Sequence, residues 1–226
     1  MMFFRDRQDA GTRLAAALEM YRGRDDVIVL GLARGGLPVA FEVARVLGLP
    51  LDVFAVRKLG APGQEELAMG AIATGGLRVL NEDVIRALAL EPPEIERAVK
   101  RESAELERRE RTYRQGRPQH SLAGKTVLLV DDGLATGSSM EVAVMAVRSH
   151  DPERIVVAVP VGPPGTCERL RAVADAIVCL EQPAGFFAVG QFYDDFRQTG
   201  DQEIIDLLDA AGDERRFGGG AHAELG

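Results

Sequence analysis

The sequence has no tryptophan, only two cysteines and no long apolar run, and each shortage excludes something. Cys167 and Cys179 form neither a metal-ligand motif nor a disulfide framework. Both are read as small apolar filler. No stretch approaches the roughly 18 apolar residues of a membrane span. Residues 1–9 carry four charged side chains and no long apolar core, unlike a secretory leader, so a cytoplasmic location with no membrane partner is expected. Basic charge is also short. Lys and Arg total 27 against 35 Asp and Glu, a net charge of −8, which argues against coating nucleic acid through bulk charge. What is present is a globular composition, 46% hydrophobic with 5% aromatic. A chain of 226 residues suffices for one large domain that buries roughly 70% of its unfolded surface.

Five short apolar runs stand out, at 27–30, 53–56, 127–130, 155–159 and 176–180. They do not alternate with polar residues, so they read as strands buried on both faces of a parallel sheet. Helical stretches at 37–47, 140–149 and 166–173 separate them. A first helix is expected over about 10–21 and a last one over 201–211, with Asp201 as N-cap. This alternation predicts a doubly wound α/β fold with a five-stranded parallel sheet. Two segments depart from it. Residues 59–76, rich in Gly and Ala, read as a long mobile loop or a small hairpin leading into 77–80. Residues 92–118 read as a charged helical insertion with a narrow stripe of Ile95, Val99, Leu106 and Tyr113, to be packed on the domain or on a second subunit. From 213 to 226 periodicity is lost and a disordered tail is expected, leaving 1–212 as the domain.

The sharpest segment is TVLLVDDGLATGSS, residues 126–139. A strand ends in Asp131 and Asp132, and a turn of small residues then opens a helix. Such a turn lets backbone N–H groups converge on an anion at a helix N-terminus. The hydroxyls of Thr136, Ser138 and Ser139 add donors. Adjacent carboxylates repel each other and call for a ligand or metal. Neither a Walker A loop nor a dinucleotide fingerprint is present. Phosphate at one end and two acceptors for a diol at the other describe a ribose 5-phosphate cradle.

This segment resembles the signature of type I phosphoribosyltransferases, enzymes that use phosphoribosyl pyrophosphate (PRPP). The resemblance implies that Asp131 and Asp132 hold the ribose hydroxyls and take part in catalysis and magnesium binding, while Ala135, Thr136, Gly137, Ser138 and Ser139 wrap the 5′-phosphate. The turn after the first strand, with Arg34, Gly35 and Gly36, resembles the family's pyrophosphate loop. Arg57 and Lys58, at the end of the second strand, stand at the base of the family's flexible loop, where cations suit the leaving pyrophosphate. All these loops follow strands and so fall on one carboxyl edge, where open α/β sheets bind ligands.

Residues 185–196, GFFAVGQFYDDF, hold five of the twelve aromatic residues. They resemble the base-binding hood of purine-salvage members, about 182–200 here. On that match Phe187 stacks on a small planar base, the backbone of Ala188 reads its edge, and Asp194 serves the Mg²⁺. Two departures bear on the acceptor. Members that use 6-oxopurines carry Asp where this chain has Ala135, and Lys after the fourth strand, where this chain has residues 160–164, PVGPP. Hypoxanthine and guanine are therefore not the expected acceptors. The resemblance implies a Mg²⁺-dependent transferase, working as a homodimer on PRPP and a base. A PRPP-sensing regulator of the same fold is the rival.

Overall fold

The computed structural model describes residues 3–218. Five parallel strands make the central sheet: β1 (Val27–Leu32), β2 (Leu51–Phe54), β6 (Thr126–Val130), β7 (Arg154–Val161) and β8 (Ala176–Glu181), in the order β2-β1-β6-β7-β8. Burial on both faces explains the unbroken apolar runs. Val27, Val29, Leu128, Val130, Val156 and Ala158 join one core, with α1 (Arg7–Ala17), α2 (Gly36–Leu47) and α7 (Asp201–Gly218). Their neighbours Ile28, Leu30, Val127, Leu129, Ile155 and Val157 join a second core, with α5 (Ser138–Arg148) and α6 (Pro164–Leu170). Side chains that alternate across each strand thus find a helical layer on either side. The pairing of Gly31 with Val130, and of Val161 with Glu181, brings the strand ends to one edge.

The glycine-rich stretch is a sheet rather than a loop. β3 (Val56–Ala61), β4 (Gln64–Ala73) and β5 (Arg78–Leu80) form three antiparallel strands, with Pro62 and Gly63 as the two-residue connection of the first hairpin. The sheet forms because it has something to cover. Leu59, Ala61, Met69 and Ile72 share a core with Ile95, Ala98 and Leu106 of α4 (Pro92–Arg114). That helix starts at Pro92, behind a capping box in which the Glu91 N–H donates to the Glu94 carboxylate at 3.0 Å. Its apolar stripe is spent within the chain, since Tyr113 is buried among α2, α7 and β2 residues. α3 (Glu82–Ala87) connects the small sheet to α4.

Several boundaries differ from expectation, three of them with a bearing on the site or the chain's ends. α1 begins at Arg7, because the Asp6 side chain accepts the Asp9 N–H at 2.8 Å and caps the helix three residues earlier than read. Asp201 is the first residue of α7 rather than its cap, and its carboxylate accepts the Tyr113 hydroxyl at 2.8 Å. α7 runs to Gly218, past the expected start of a disordered tail, and 219–226 lie outside the described residues. Among the described residues no helix is long and apolar enough to cross a membrane.

Candidate active site

β6 delivers Asp131 and Asp132 to the carboxyl edge at positions where both carboxylates are largely withdrawn from water. Burial, then the neighbouring Asp132 charge, pushes the Asp131 carboxyl well above its usual range. Burial also raises Asp132, against the pull of Arg7. Arg7 comes from the first turn of α1. Its Nε and Nη2 donate to Asp132 Oδ2 at 2.9 and 2.8 Å, its Nη1 to the Arg197 carbonyl at 2.7 Å, and its guanidinium lies 4.0 Å from the centre of the Phe196 ring. The Tyr193 hydroxyl donates to the Asp132 carbonyl at 2.6 Å, and burial beside the acid pair raises its pKa. One guanidinium therefore faces two carboxylates. The pair holds capacity for a proton, a cation or hydroxyl donors.

The glycines of the first strand's turn exist for this pair. A Cβ on Gly35 would lie 2.2 Å from Asp132 Oδ2, and one on Gly36 would lie 2.7 Å from the Asp131 Cα. No side chain fits there, so the turn 33–36 can lie directly on the acids. The turn resembles a pyrophosphate loop in sequence; what its glycines admit in the structure is the protein's own carboxylates. The Ala33–Arg34 peptide is cis.

A cavity of about 450 Å³ opens over this edge, lined among others by Arg7, Arg34, Gly35, Asp131, Asp132, Ser139 and Phe196. A second groove of about 480 Å³, with Lys58, Asn81, Ser138 and Met145 on its walls, meets it at Ser139, on the N-terminus of α5. Along the chain the turn 133–137 joins Asp132, on the wall of the first, to Ser138, on the wall of the second, and itself lines neither. The N–H groups of Ala135, Thr136, Gly137 and Ser139 donate to no protein acceptor among the described residues. The Thr136 and Ser138 hydroxyls lie 3.2 Å apart.

The residues singled out in the sequence do not all converge. Arg34 lines the cavity, with Nη1 3.8 Å from Asp201 Oδ1. Arg57 does not line it, because its Nε donates to Glu102 of α4 at 3.0 Å. Lys58 faces the second groove instead. Phe187 is 94% exposed and stands outside both. The N–H groups of Phe187 and Ala188 already donate to Gln191 Oε1, at 3.0 and 3.2 Å. Asp194 is exposed and away from the acid pair's cavity, its N–H donating to the Phe4 carbonyl at 2.9 Å. Two of the segment's five aromatic residues are core: Phe192 and Tyr193 pack with Phe4. Among the described residues no three His, Cys, Asp or Glu side chains gather to hold a metal. Arg7, Phe196, Gln198 and Thr199 are among the cavity residues that sequence reading missed. The D-x-x-D cap at Asp6 was the available signal for the helix that presents Arg7.

A largely buried acid pair at a strand end, a turn of free amides and a helix N-terminus lie on one carboxyl edge, the edge at which open α/β sheets bind ligands. Residues 5–197 match the phosphoribosyl transferase domain family, so the chain belongs to that family. Proteins of two Mycobacterium tuberculosis strains, both named "Putative phosphoribosyl transferase", are 48% identical over 211 residues, 93% of this chain. The chain spans 47% of their length. The crystal structure of TT1426 from Thermus thermophilus is similar at 46% identity and a TM-score of 0.81, covering 92% of this chain and 98% of that one.

Proposed function

We propose that this chain is a Mg²⁺-dependent phosphoribosyltransferase that joins the phosphoribosyl group of PRPP to a nitrogenous base. The observation that carries the reading is the acid pair beside the free amides of 135–137 and 139, read as a diol site and a phosphate site on one edge. In the reaction the bond from C1 to the pyrophosphate oxygen breaks, a ring nitrogen of the base bonds to C1, and the nitrogen's proton passes to solvent or to pyrophosphate. Asp131 and Asp132 accept the ribose hydroxyls. The turn Ala135–Ser139 takes the 5′-phosphate through its N–H groups and hydroxyls. Arg34 meets negative charge as it grows on the pyrophosphate, which is electrostatic catalysis with little covalent chemistry for the protein.

The acid pair fits Mg²⁺ in the way that ion prefers, two hard carboxylates with the remaining positions left to water and substrate oxygens. Asp131 and Asp132 would hold it, and when bound it supplies charge neutralisation on pyrophosphate. Asp194, exposed and outside the cavity, is not among these donors. Arg57 and Lys58 are second-line cations on this reading, since Arg57 must first leave Glu102. Phe187 or the cavity-lining Phe196 would stack the acceptor, and a base edge would displace Gln191 Oε1 to reach Ala188. Neither an acid at 135 nor a cation in 160–164 stands ready for a 6-oxopurine, so hypoxanthine and guanine are poor acceptors. Incubation with PRPP, Mg²⁺ and a panel of bases, followed by labelled pyrophosphate exchange, tests the reading. Exchange with one planar base supports it. PRPP binding without exchange for any base would favour a sensor, and absence of PRPP binding would overturn both.

A further inference from the structure

Helix α6 grips the turn 133–137 from behind. The Thr166 hydroxyl donates to the Ala135 carbonyl at 3.0 Å. Arg169 Nη2 donates to the Thr136 carbonyl at 2.8 Å and lies 3.3 Å from the Thr166 hydroxyl oxygen, while its Nη1 donates to the Gly165 carbonyl at 3.2 Å. The turn's start is tied as well, with Leu134 N–H donating to the Val161 carbonyl at 2.8 Å. Gly137 has φ +78°, and a Cβ there would lie 2.6 Å from Thr166 Cγ2, so the left-handed turn rests against the threonine methyl.

A trans peptide is planar, and its C=O and N–H point opposite ways. Holding the Ala135 carbonyl against α6 therefore aims the Thr136 N–H outward. Holding the Thr136 carbonyl aims the Gly137 N–H outward. These are two of the amides without a protein acceptor. Thr166 is buried, which keeps water from competing for its bond. Arg169 bonds to carbonyl and hydroxyl oxygens, and no carboxylate lies within ion-pair distance of it among the described residues. Its positive charge stays uncompensated directly behind the turn.

We propose that Thr166 and Arg169 are positioning residues of the anion-binding turn: they lock the two peptides whose N–H groups receive the phosphate, and Arg169 adds unneutralised charge. The proposal rests on the phosphate role given to this turn above. The test is calorimetry of ribose 5-phosphate with the whole chain and its variants T166V, T166S and R169M, over a range of salt. T166V and R169M should each weaken binding about tenfold, as befits lost hydrogen bonds that preorganise a charged contact. T166S, which keeps the hydroxyl, should bind like the wild type, and R169M should flatten the salt dependence. The KM for PRPP should rise with kcat unchanged. Wild-type affinity and salt dependence in both T166V and R169M would overturn the clamp. Failure of the unaltered chain to bind ribose 5-phosphate would overturn the phosphate role instead. The clamp would then be decided by amide exchange without ligand, which must quicken at 136 and 137 in T166V and R169M if it holds and stay unchanged if it does not.

Discussion

At the carboxyl edge of the parallel sheet, the guanidinium of Arg7 bonds Asp132 and reaches Asp131 only through space. In the hairpin layer, Glu102 alone takes two, from Arg57 and Arg101. The consequences run in opposite directions. Burial and mutual repulsion push the acid pair up. Glu102 also suffers burial, yet its two arginines hold its carboxyl below the usual range. A buried charge in excess of its partners marks a candidate ligand site, whereas a saturated one is structure. Cations at strand ends look alike in a sequence, but Arg34 lines the cavity while Arg57 is consumed by a brace.

Removing the excess charge should have the largest effect. Replacing Asp131 and Asp132 together by alanine should lower PRPP affinity by at least about a hundredfold in calorimetry, since two charge-assisted acceptors are lost. Unchanged affinity would erase the distinction between the two regions. The single change D131N sharpens it through stability. The folded pKa of Asp131 lies above its unfolded value, so the native state binds the proton more tightly than the unfolded chain does. Ionisation thus costs native stability as pH rises through and beyond the carboxylate range, and costs none below it. D131N should therefore melt higher than the wild type at pH 7, with the gap closing towards pH 4.

Arg7 is the next test. Its side chain and that of Asp132 are each 13% exposed, so R7M leaves a mostly buried carboxylate without its cation. Thermal unfolding should show a loss of about 3 kcal/mol at pH 7, shrinking as Asp132 becomes protonated in acid. In the hairpin layer E102Q should cost about 1 kcal/mol or less, because Arg57 is partly exposed and can turn to water. PRPP affinity should not fall in E102Q; a fall as large as that of the acid-pair variant would place Arg57 and Glu102 in the ligand site. The smallest effect on stability belongs to F187A, below about 0.5 kcal/mol for so exposed a ring. If Phe187 stacks the acceptor, F187A lowers kcat/KM for the base about tenfold and leaves PRPP binding alone.

Much of the sheet was legible because its strands are buried on both faces, and double burial writes continuous apolar runs. The hairpin was less legible. Glycine and alanine are loop-like by composition, and only the Pro62-Gly63 pair announced a turn. Its strands persist because α4 supplies an apolar cover from a distant part of the chain, through Ile95, Ala98 and Leu106. In the site, the Asp-Asp-x-x-x-Thr-Gly-Ser-Ser spacing is local, so it was readable as it stands. Arg7 was not, because it lies 125 residues from Asp132, and a charged residue in a charged segment carries no mark of its partner.

The amino-acid sequence by itself determined the order of strands and helices, the acid pair and the small-residue turn, since each depends on residues adjacent in the chain. Only the tertiary structure decided which cation meets which acid. Gly35 and Gly36 lie on the carboxylates because β1 and β6 pair in one register. Thr166 and Arg169 reach the turn 133–137 because β7 and β6 are neighbours in the sheet. Coulombic attraction and hydrogen bonding act over a few ångströms in space, and chain folding, not residue order, sets those distances.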